Sequence, residues 1–281
     1  MVARTFEVGG EDEVDRLGFG AMRLCGPDIV GEPADPAAAR GVVERAVDLG
    51  VDLIDTADAY GPGTSERLIA DAVDTTRDDL LIATKAGLLR NRAGDWLRMA
   101  DPDYLRNAYL CSRDRLGVET IDLYQLHRPD PDVPFEDSVR ALAELKDDGA
   151  VRHVGLSGVS VEQLERARDV VEVATVQNEF NVVDRSEAPV LEACEEYGIG
   201  FMPYFPLGAG DLGDLPELDA VASAHDATRA QVALAWLLAR SPVTLPIPGT
   251  ADPDHLAENV AARDLELTDD EVARLTAATG V

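Results

Sequence analysis

VDLIDTADAYG at residues 51–61 shows the pattern that decides the fold, a short apolar run that ends at Asp55 and leads into Tyr60. The pattern returns in LLIATKAG at 80–87 and in DLYQLHRPDP at 122–131. Longer segments with the hydrophobic period of a helix separate these runs. Such alternation is typical of βα units around a parallel sheet.

The alternation continues in both directions along the chain. Eight runs are predicted to be strands, at residues 15–22, 51–55, 80–84, 121–126, 151–157, 173–178, 198–204 and 243–248. A short hairpin is predicted before them, over residues 5–14. No G-x-G-x-x-G follows any strand, and polar residues end several different strands. We therefore predict an α/β fold, a (β/α)8 TIM barrel with a short N-terminal β-hairpin, rather than an open doubly wound sheet.

Helix boundary signals support the segments between the strands. The predicted helix starts carry a capping side chain followed by proline or by a capping-box partner, at Asp35-Pro36, Asp101-Pro102, Ser160 with Gln163, Asp252-Pro253 and Thr268 with Glu271. The first helices are expected to end near Gly50 and Gly117. No low-complexity linker or change of composition divides the 281 residues, so we predict one domain over 1–281.

The chain is strongly acidic, with a formal net charge of −29 and only two lysines, Lys85 and Lys146. Self-repulsion of this size destabilises a compact state in dilute buffer and is screened by molar salt. We predict a salt-adapted protein from a halophile; the alternative is an ordinary acidic protein whose arginines reflect codon bias. Nucleic acid and anionic membrane surfaces are poor partners for this charge.

The three cysteines, Cys25, Cys111 and Cys194, are widely and irregularly spaced. This pattern suggests neither a disulfide framework nor a zinc site, so small buried side chains in a reducing compartment are expected. The first residues show no positively flanked apolar run, and no stretch is long and apolar enough to span a bilayer. We predict a soluble, cytoplasmic protein.

Four polar residues stand at the ends of three consecutive predicted strands: Asp55, Tyr60, Lys85 and His127. In a parallel barrel these strand ends converge on one mouth. Taken singly, such an aspartate is usually a helix cap, such a tyrosine part of the core and such a histidine structural. Lys85 is harder to explain in this way, because arginine fills nearly every other basic position.

The combination suggests proton donation to a carbonyl group. A tyrosine hydroxyl, with a pKa of about 10, is a weak acid at neutral pH. A buried Lys85 would stabilise the phenolate of Tyr60, and Asp55 would compensate the ammonium. Neutral His127 could then donate a hydrogen bond to a carbonyl oxygen and orient it.

These residues resemble the aldo-keto reductase family. The resemblance rests on DTADAYG, Lys85 and DLYQLHRPDP, together with LGFGAMRL near the start, QNEFNVVDR at 177–185 and IPGTADPDHLAENV at 247–260. It covers essentially the whole chain in the right order. It implies an NADP(H)-dependent oxidoreductase, with NAD(H) as an alternative, that transfers hydride between nicotinamide and an aldehyde or ketone, or the corresponding alcohol. Asp55, Tyr60, Lys85 and His127 match the catalytic tetrad, Tyr60 as general acid and base, and no metal is required.

The resemblance also implies residues for the cofactor and the substrate. Ser157 and Gln177 match positions that bind the nicotinamide carboxamide, and Tyr204 matches the aromatic side chain on which the ring stacks. The other implied cofactor-binding residues are Pro206, Leu207, Gly249, Thr250, His255, Glu258 and Asn259. Instead of binding the cofactor, Thr250 could cap a helix. Glu258 could simply lie on the solvated surface. Met22, Arg23 and Trp96 are expected to line the substrate pocket, although Trp96 alternatively packs only within its loop.

Several positions depart from the family pattern. Gly158 replaces a common asparagine beside Ser157, and Phe205 replaces a small polar residue after the stacking tyrosine. His255 replaces an arginine that grips the 2′-phosphate, and Gly249 replaces a common lysine. The preference for NADP(H) therefore rests on the family alone. A short connection after Leu207 predicts fast exchange of the cofactor.

Two other functions stay open on the sequence. One is a cofactor-binding regulatory or redox-sensing subunit that acts through a partner, against which the intact tetrad argues. The other is a barrel lyase or isomerase in which Lys85 forms a Schiff base. For the reductase, we expect a small-molecule carbonyl substrate and a monomer or weak homo-oligomer.

Overall fold

The computed structural model describes residues 3–278 and begins with the predicted hairpin. Strands β1 (Thr5–Val8) and β2 (Asp12–Asp15) pair antiparallel. Gly9 and Gly10 connect them with φ of +62° and +72°, which glycine adopts without steric cost. Val8 and Val14 pack into the same apolar cluster as Leu53 and Leu123 of the barrel interior, so the hairpin covers one end of the barrel.

Seven strands form a parallel sheet around the barrel. They are β3 (Phe19–Gly20), β4 (Leu53–Asp55), β5 (Leu81–Ala86), β8 (Ile121–Leu126), β9 (Val151–Ser157), β10 (Val173–Gln177) and β11 (Gly200–Phe201). Their order is β11-β10-β9-β8-β5-β4-β3. A second, antiparallel hairpin of β6 (Leu88–Arg90) and β7 (Trp96–Arg98) leaves the carboxyl end of β5. The sequence did not predict these two strands.

The eighth predicted strand, 243–248, is not a regular strand, and it closes the ring in a different way. On one side it pairs with β11, where the Phe201 amide donates to the Val243 carbonyl at 2.8 Å. On the other side the amides of Gly18 and Gly20 donate to the carbonyls of Pro246 and Pro248, at 2.9 and 3.2 Å. Because proline has no amide hydrogen, Pro246 and Pro248 accept hydrogen bonds from the first barrel strand but cannot donate any to it. The predicted (β/α)8 barrel is confirmed with this correction.

Helices surround the strands. Their bounds are α1 (Pro36–Asp48), α2 (Thr64–Ala72), α3 (Pro102–Leu116), α4 (Phe135–Asp147), α5 (Val161–Arg168), α6 (Ala188–Tyr197), α7 (Pro216–Ala224), α8 (Arg229–Arg240), α9 (Pro253–Ala261) and α10 (Asp269–Ala278). The predicted caps of Asp35, Asp101 and Asp252 all accept backbone hydrogen bonds. Both predicted capping boxes form as well.

Side chains alternate along the strands between two apolar layers. In β5, Leu81 and Ala83 belong to the barrel interior, whereas Ile82 belongs to the layer between strands and helices. The two-residue period of a strand therefore directs Lys85 inward at the carboxyl end of β5. The same period directs Asp55 of β4 inward, two residues after Leu53.

Candidate active site

The four predicted residues of the tetrad meet at the carboxyl ends of the barrel strands. Asp55 is the last residue of β4, Lys85 lies near the end of β5, and His127 directly follows β8. Tyr60 lies in the turn between β4 and α2, where its amide donates to the carbonyl of Ala57 at 3.2 Å. All four side chains are buried.

The ammonium of Lys85 lies between the carboxylate of Asp55 and the hydroxyl of Tyr60. Its Nζ donates to Asp55 Oδ2 at 2.6 Å and to the Thr56 carbonyl at 2.8 Å. The same Nζ lies 3.4 Å from Tyr60 Oη. Lys85 is fully buried, so this ion pair is screened little by solvent.

Two glutamines hold the other oxygen of Asp55. Gln125 Nε2 donates to Asp55 Oδ1 at 3.1 Å, and Gln177 Nε2 donates to it at 2.9 Å. A carboxylate only accepts hydrogen bonds, so both amide nitrogens face it. Gln177 thus supports the tetrad through its contact with Asp55, and it also lines the cavity above the tetrad.

The environment sets the charge of each group. Burial alone would lower the pKa of Lys85, but the Asp55 carboxylate and the Tyr60 hydroxyl outweigh it and raise that pKa. Burial raises the pKa of Tyr60, although Lys85 opposes the shift. Burial, followed by Lys85 and Arg128, lowers the pKa of His127 well below its ordinary value. At neutral pH the site therefore holds an ammonium, a protonated phenol and a neutral imidazole.

A cavity of about 730 Å³ opens above the tetrad. Asp55, Tyr60 and His127 form part of its base, and Lys85 lies beneath them. Ten of the other predicted residues line it: Met22, Arg23, Trp96, Ser157, Gln177, Tyr204, Pro206, Leu207, Gly249 and Thr250. This volume lies within the range of small-molecule sites.

Three predicted cofactor residues do not line this cavity. His255, Glu258 and Asn259 lie on α9, where His255 is exposed and Asn259 is buried. Glu258 Oε1 accepts a hydrogen bond from Thr228 Oγ1 at 2.7 Å. Thr250 lines the cavity, and its hydroxyl also accepts from the amide of Asp252 at 3.0 Å.

Trp96 on β7 joins an aromatic cluster with the tetrad. Its ring packs edge-to-face against Tyr60 and against His127, with centroids 6.3 Å apart in both pairs. The guanidinium of Arg90 lies over the opposite strand's Trp96 ring, 3.8 Å from its centroid. The hairpin therefore places one exposed aromatic ring at the wall of the cavity.

The sequence model of the Aldo/keto reductase family matches residues 16–279. The chain belongs to this family. An uncharacterized oxidoreductase from Schizosaccharomyces pombe is 46% identical over 95% of this chain and 87% of its own. Pyridoxine 4-dehydrogenase from Escherichia coli is 40% identical over 98% of both chains.

Solved structures of aldo-keto reductases share the fold. A thermostable member with the inhibitor epalrestat aligns with a TM-score of 0.87 at 29% identity, over 98% of this chain and 99% of its own. A Klebsiella pneumoniae member, determined with NADP and acetate, aligns with a TM-score of 0.83 at 27% identity, over 98% and 94%. As an aldo-keto reductase, this chain is an oxidoreductase.

One prominent side chain of this reductase, that of Arg128, was not predicted from the sequence. Arg128 lines the cavity, donates to Ser157 Oγ at 2.5 Å and lies 4.9 Å from the centroid of the Tyr204 ring. Its position directly after His127 was the available signal. Phe205, noted as a departure, has a left-handed backbone with φ of +49° and also lines the cavity.

A membrane-spanning helix and a metal-binding cluster are both absent from residues 3–278. No helix in that range is both long enough and apolar enough to cross a membrane. No group of three or more histidine, cysteine or acidic side chains in the same range is arranged to hold a metal ion.

Proposed function

We propose that this reductase transfers hydride between NADP(H) and an aldehyde or ketone, or the corresponding alcohol, with Tyr60 as general acid and base. The contact of Lys85 Nζ with both Asp55 and Tyr60 carries the proposal. Through this contact the buried Lys85 ammonium, neutralised by Asp55, lies beside the Tyr60 phenol, which stays protonated at neutral pH.

Each residue of the tetrad has a distinct role in this reaction. In reduction, Tyr60 Oη donates a proton to the carbonyl oxygen, and in oxidation the phenolate accepts it from the alcohol. Lys85 stabilises the phenolate that forms, and Asp55 fixes Lys85. Neutral His127 donates a hydrogen bond to the substrate oxygen and orients it. The dinucleotide, when bound, supplies or accepts the hydride at its nicotinamide ring.

The residues of the cavity fit a dinucleotide. Tyr204 presents an aromatic ring, and Ser157 presents a hydroxyl beside it. Gly249 and Thr250 continue the wall toward the start of α9, and a helix N-terminus favours phosphate groups. NADP in the Klebsiella relative supports NADP(H) as the cofactor. NAD(H) is the alternative, because no arginine or lysine stands at His255 or Gly249.

We further propose an aromatic substrate of about the size of pyridoxine, or of the aldehyde formed by its oxidation. The activity named for the Escherichia coli relative supports this choice. The edge-to-face rings of Trp96, Tyr60 and His127 supply a wall against which a planar ring packs.

The geometry at Lys85 argues against a Schiff base. A Schiff-base lysine attacks as the neutral amine, usually with a lowered pKa. Here the ammonium is held by Asp55, and its pKa is raised. Borohydride trapping with a carbonyl compound should therefore give no covalent adduct.

Tyr60→Phe tests the assignment of the acid. We expect this variant to bind NADPH or NADH as the wild type does, measured by quenching of intrinsic fluorescence in molar KCl. Its kcat should fall by about 10²–10⁴-fold, because a positioned general acid contributes about that much. Tyr197→Phe, on α6 outside the cavity lining, is the matched control and should keep its rate. A near wild-type rate for Tyr60→Phe would show that Tyr60 is not the acid.

A further inference from the structure

Arg128 occupies a specific place in the wall of the cavity. Its Nη1 donates to Ser157 Oγ at 2.5 Å and to the carbonyl of His127 at 3.0 Å. The guanidinium faces the ring of Tyr204, with 4.9 Å between Cζ and the centroid. Nε and Nη2 have no hydrogen-bond partner within residues 3–278, so two donor groups of a cavity-lining side chain are unused there.

Gly158 provides the space that Arg128 fills. A Cβ atom at position 158 would lie 2.7 Å from Arg128 Cδ and 2.8 Å from its Nη1. The glycine has a left-handed backbone with φ of +66°, and its amide donates to Asn178 Oδ1 at 2.9 Å. The backbone at 158 is thus fixed, and any side chain there would displace the guanidinium.

The charge of Arg128 is not neutralised by a close carboxylate. Among residues 3–278, no acidic oxygen lies within 4.0 Å of its guanidinium. Glu179 lines the same cavity and interacts with Arg128 only at longer range. By contrast, the ammonium of Lys85 is paired with Asp55 at 2.6 Å.

We propose that Arg128 and Gly158 together form a subsite for the nicotinamide end of the cofactor. The Arg128 side chain fills the volume that a side chain at 158 would occupy, and its free guanidinium donors bind the carboxamide oxygen beside Ser157. An uncompensated cation there also disfavours the positively charged oxidised ring relative to the neutral reduced ring. This inference rests on the proposed function, because it requires a nicotinamide cofactor.

The test compares dissociation constants for three ligands in molar KCl: NADPH, NADP⁺ and 2′-phospho-ADP-ribose, which lacks the nicotinamide. Arg128→Ala should weaken NADPH binding by about tenfold or more, because the lost hydrogen bond has a charged donor. Binding of 2′-phospho-ADP-ribose should stay within about twofold. The ratio of the NADP⁺ constant to the NADPH constant should fall. Arg92→Ala, an exposed arginine outside the cavity lining, is the matched control and should leave that ratio unchanged.

Gly158→Ala tests the pairing, since its Cβ would lie 2.7 Å from Arg128 Cδ and adds no hydrogen-bonding group. Alone, it should weaken NADPH binding as Arg128→Ala does. The double variant should bind no worse than Arg128→Ala, because the clash is gone. Circular dichroism checks that each variant folds.

Three results would overturn the inference. They are unchanged or tighter NADPH binding by Arg128→Ala, an equal loss for 2′-phospho-ADP-ribose, and additive losses in the double variant. In these cases a wild type that binds NADPH still supports the proposed function. A folded wild type that binds neither NADPH nor NADP⁺ would overturn both.

Discussion

Asp58 lies two residues before Tyr60 but does not line the cavity above the tetrad. Its Oδ2 accepts from the hydroxyl of Tyr104 at 2.9 Å, and its Oδ1 has no partner within residues 3–278. Burial, with a smaller contribution from the Glu66 carboxylate, raises the pKa of Asp58 to about 7. The folded chain therefore holds a proton at this site that the unfolded chain releases near pH 4.

This shift makes a prediction about stability and pH. A raised folded-state pKa stabilises the fold at pH 4 and below, and the contribution is lost as the pH rises toward 7. The full difference corresponds to roughly 4 kcal/mol. We expect Asp58→Asn to flatten the fall in unfolding free energy between about pH 4 and pH 7, measured by urea denaturation. Asp214→Asn, an exposed carboxylate, should leave the slope unchanged. Parallel curves for wild type and Asp58→Asn would contradict the account.

At the scale of single residues, the sequence predicted which residues lie together at the site. It did not predict the individual hydrogen bonds between their side chains. Asp55, Lys85 and His127 could be placed together because strand ends converge in a barrel. The contact of Arg128 with Ser157 could not be predicted, since it depends on a rotamer and on the space left by Gly158. Roles for all of these residues stay predictions.

Among the elements, the β6–β7 hairpin shapes the wall of the cavity. Arg90 on β6 donates to the carbonyls of Ile29 and Gly94 and stacks on Trp96. These contacts tie the hairpin to the loop that follows β3. Trp96 faces Tyr60 and His127, and the next residue, Leu97, is exposed.

We expect Trp96→Ala to raise KM for aromatic aldehydes by about tenfold, because an aromatic pair contributes about 0.5–1.5 kcal/mol beyond its buried area. The dissociation constant for NADPH should not change. Leu97→Ala, exposed and adjacent in β7, is the matched control and should leave KM unchanged. Equal KM values for Trp96→Ala and wild type would exclude Trp96 from substrate binding.

Most elements were predictable, and the exceptions have physical causes. Residues 121–126 and 151–157 form strands with the predicted bounds, since apolar residues on both faces give an unambiguous pattern. Residues 243–248 look equally apolar, but Pro246 and Pro248 cannot donate to a ladder. The β6–β7 strands were missed because three-residue strands with charged ends lack a clear period.

For the whole molecule, the distribution of charge is uneven. A cleft of about 710 Å³ at the end opposite the tetrad is lined by eight acidic residues, among them Asp12, Asp52 and Asp122, and by two arginines, Arg77 and Arg152. The cavity above the tetrad is lined by three arginines, Arg23, Arg98 and Arg128, and by only two acidic residues, Asp55 and Glu179. An excess of arginines over acidic residues in this cavity, on a protein of net charge −29, favours anionic ligands there.

The net charge predicts that stability depends on salt. As KCl is diluted from molar to tens of millimolar, the screening length becomes longer. The repulsion between the acidic side chains therefore grows. We expect the folded fraction, followed by circular dichroism, to fall across this dilution and to recover when KCl is restored. An unchanged folded fraction would favour the alternative of an ordinary acidic protein.

That the chain forms one domain also stays a prediction.

Transfer of a labelled hydride tests the central claim most directly. The protein would be incubated in molar KCl with NADPH carrying deuterium at nicotinamide C4, and with an aromatic aldehyde such as pyridoxal. We expect wild type to yield an alcohol with one deuterium on the carbon that was the carbonyl, detected by mass spectrometry, and Tyr60→Phe to yield almost none. A folded wild type that transfers no deuterium, from either face of the ring or from NADH, would contradict the account.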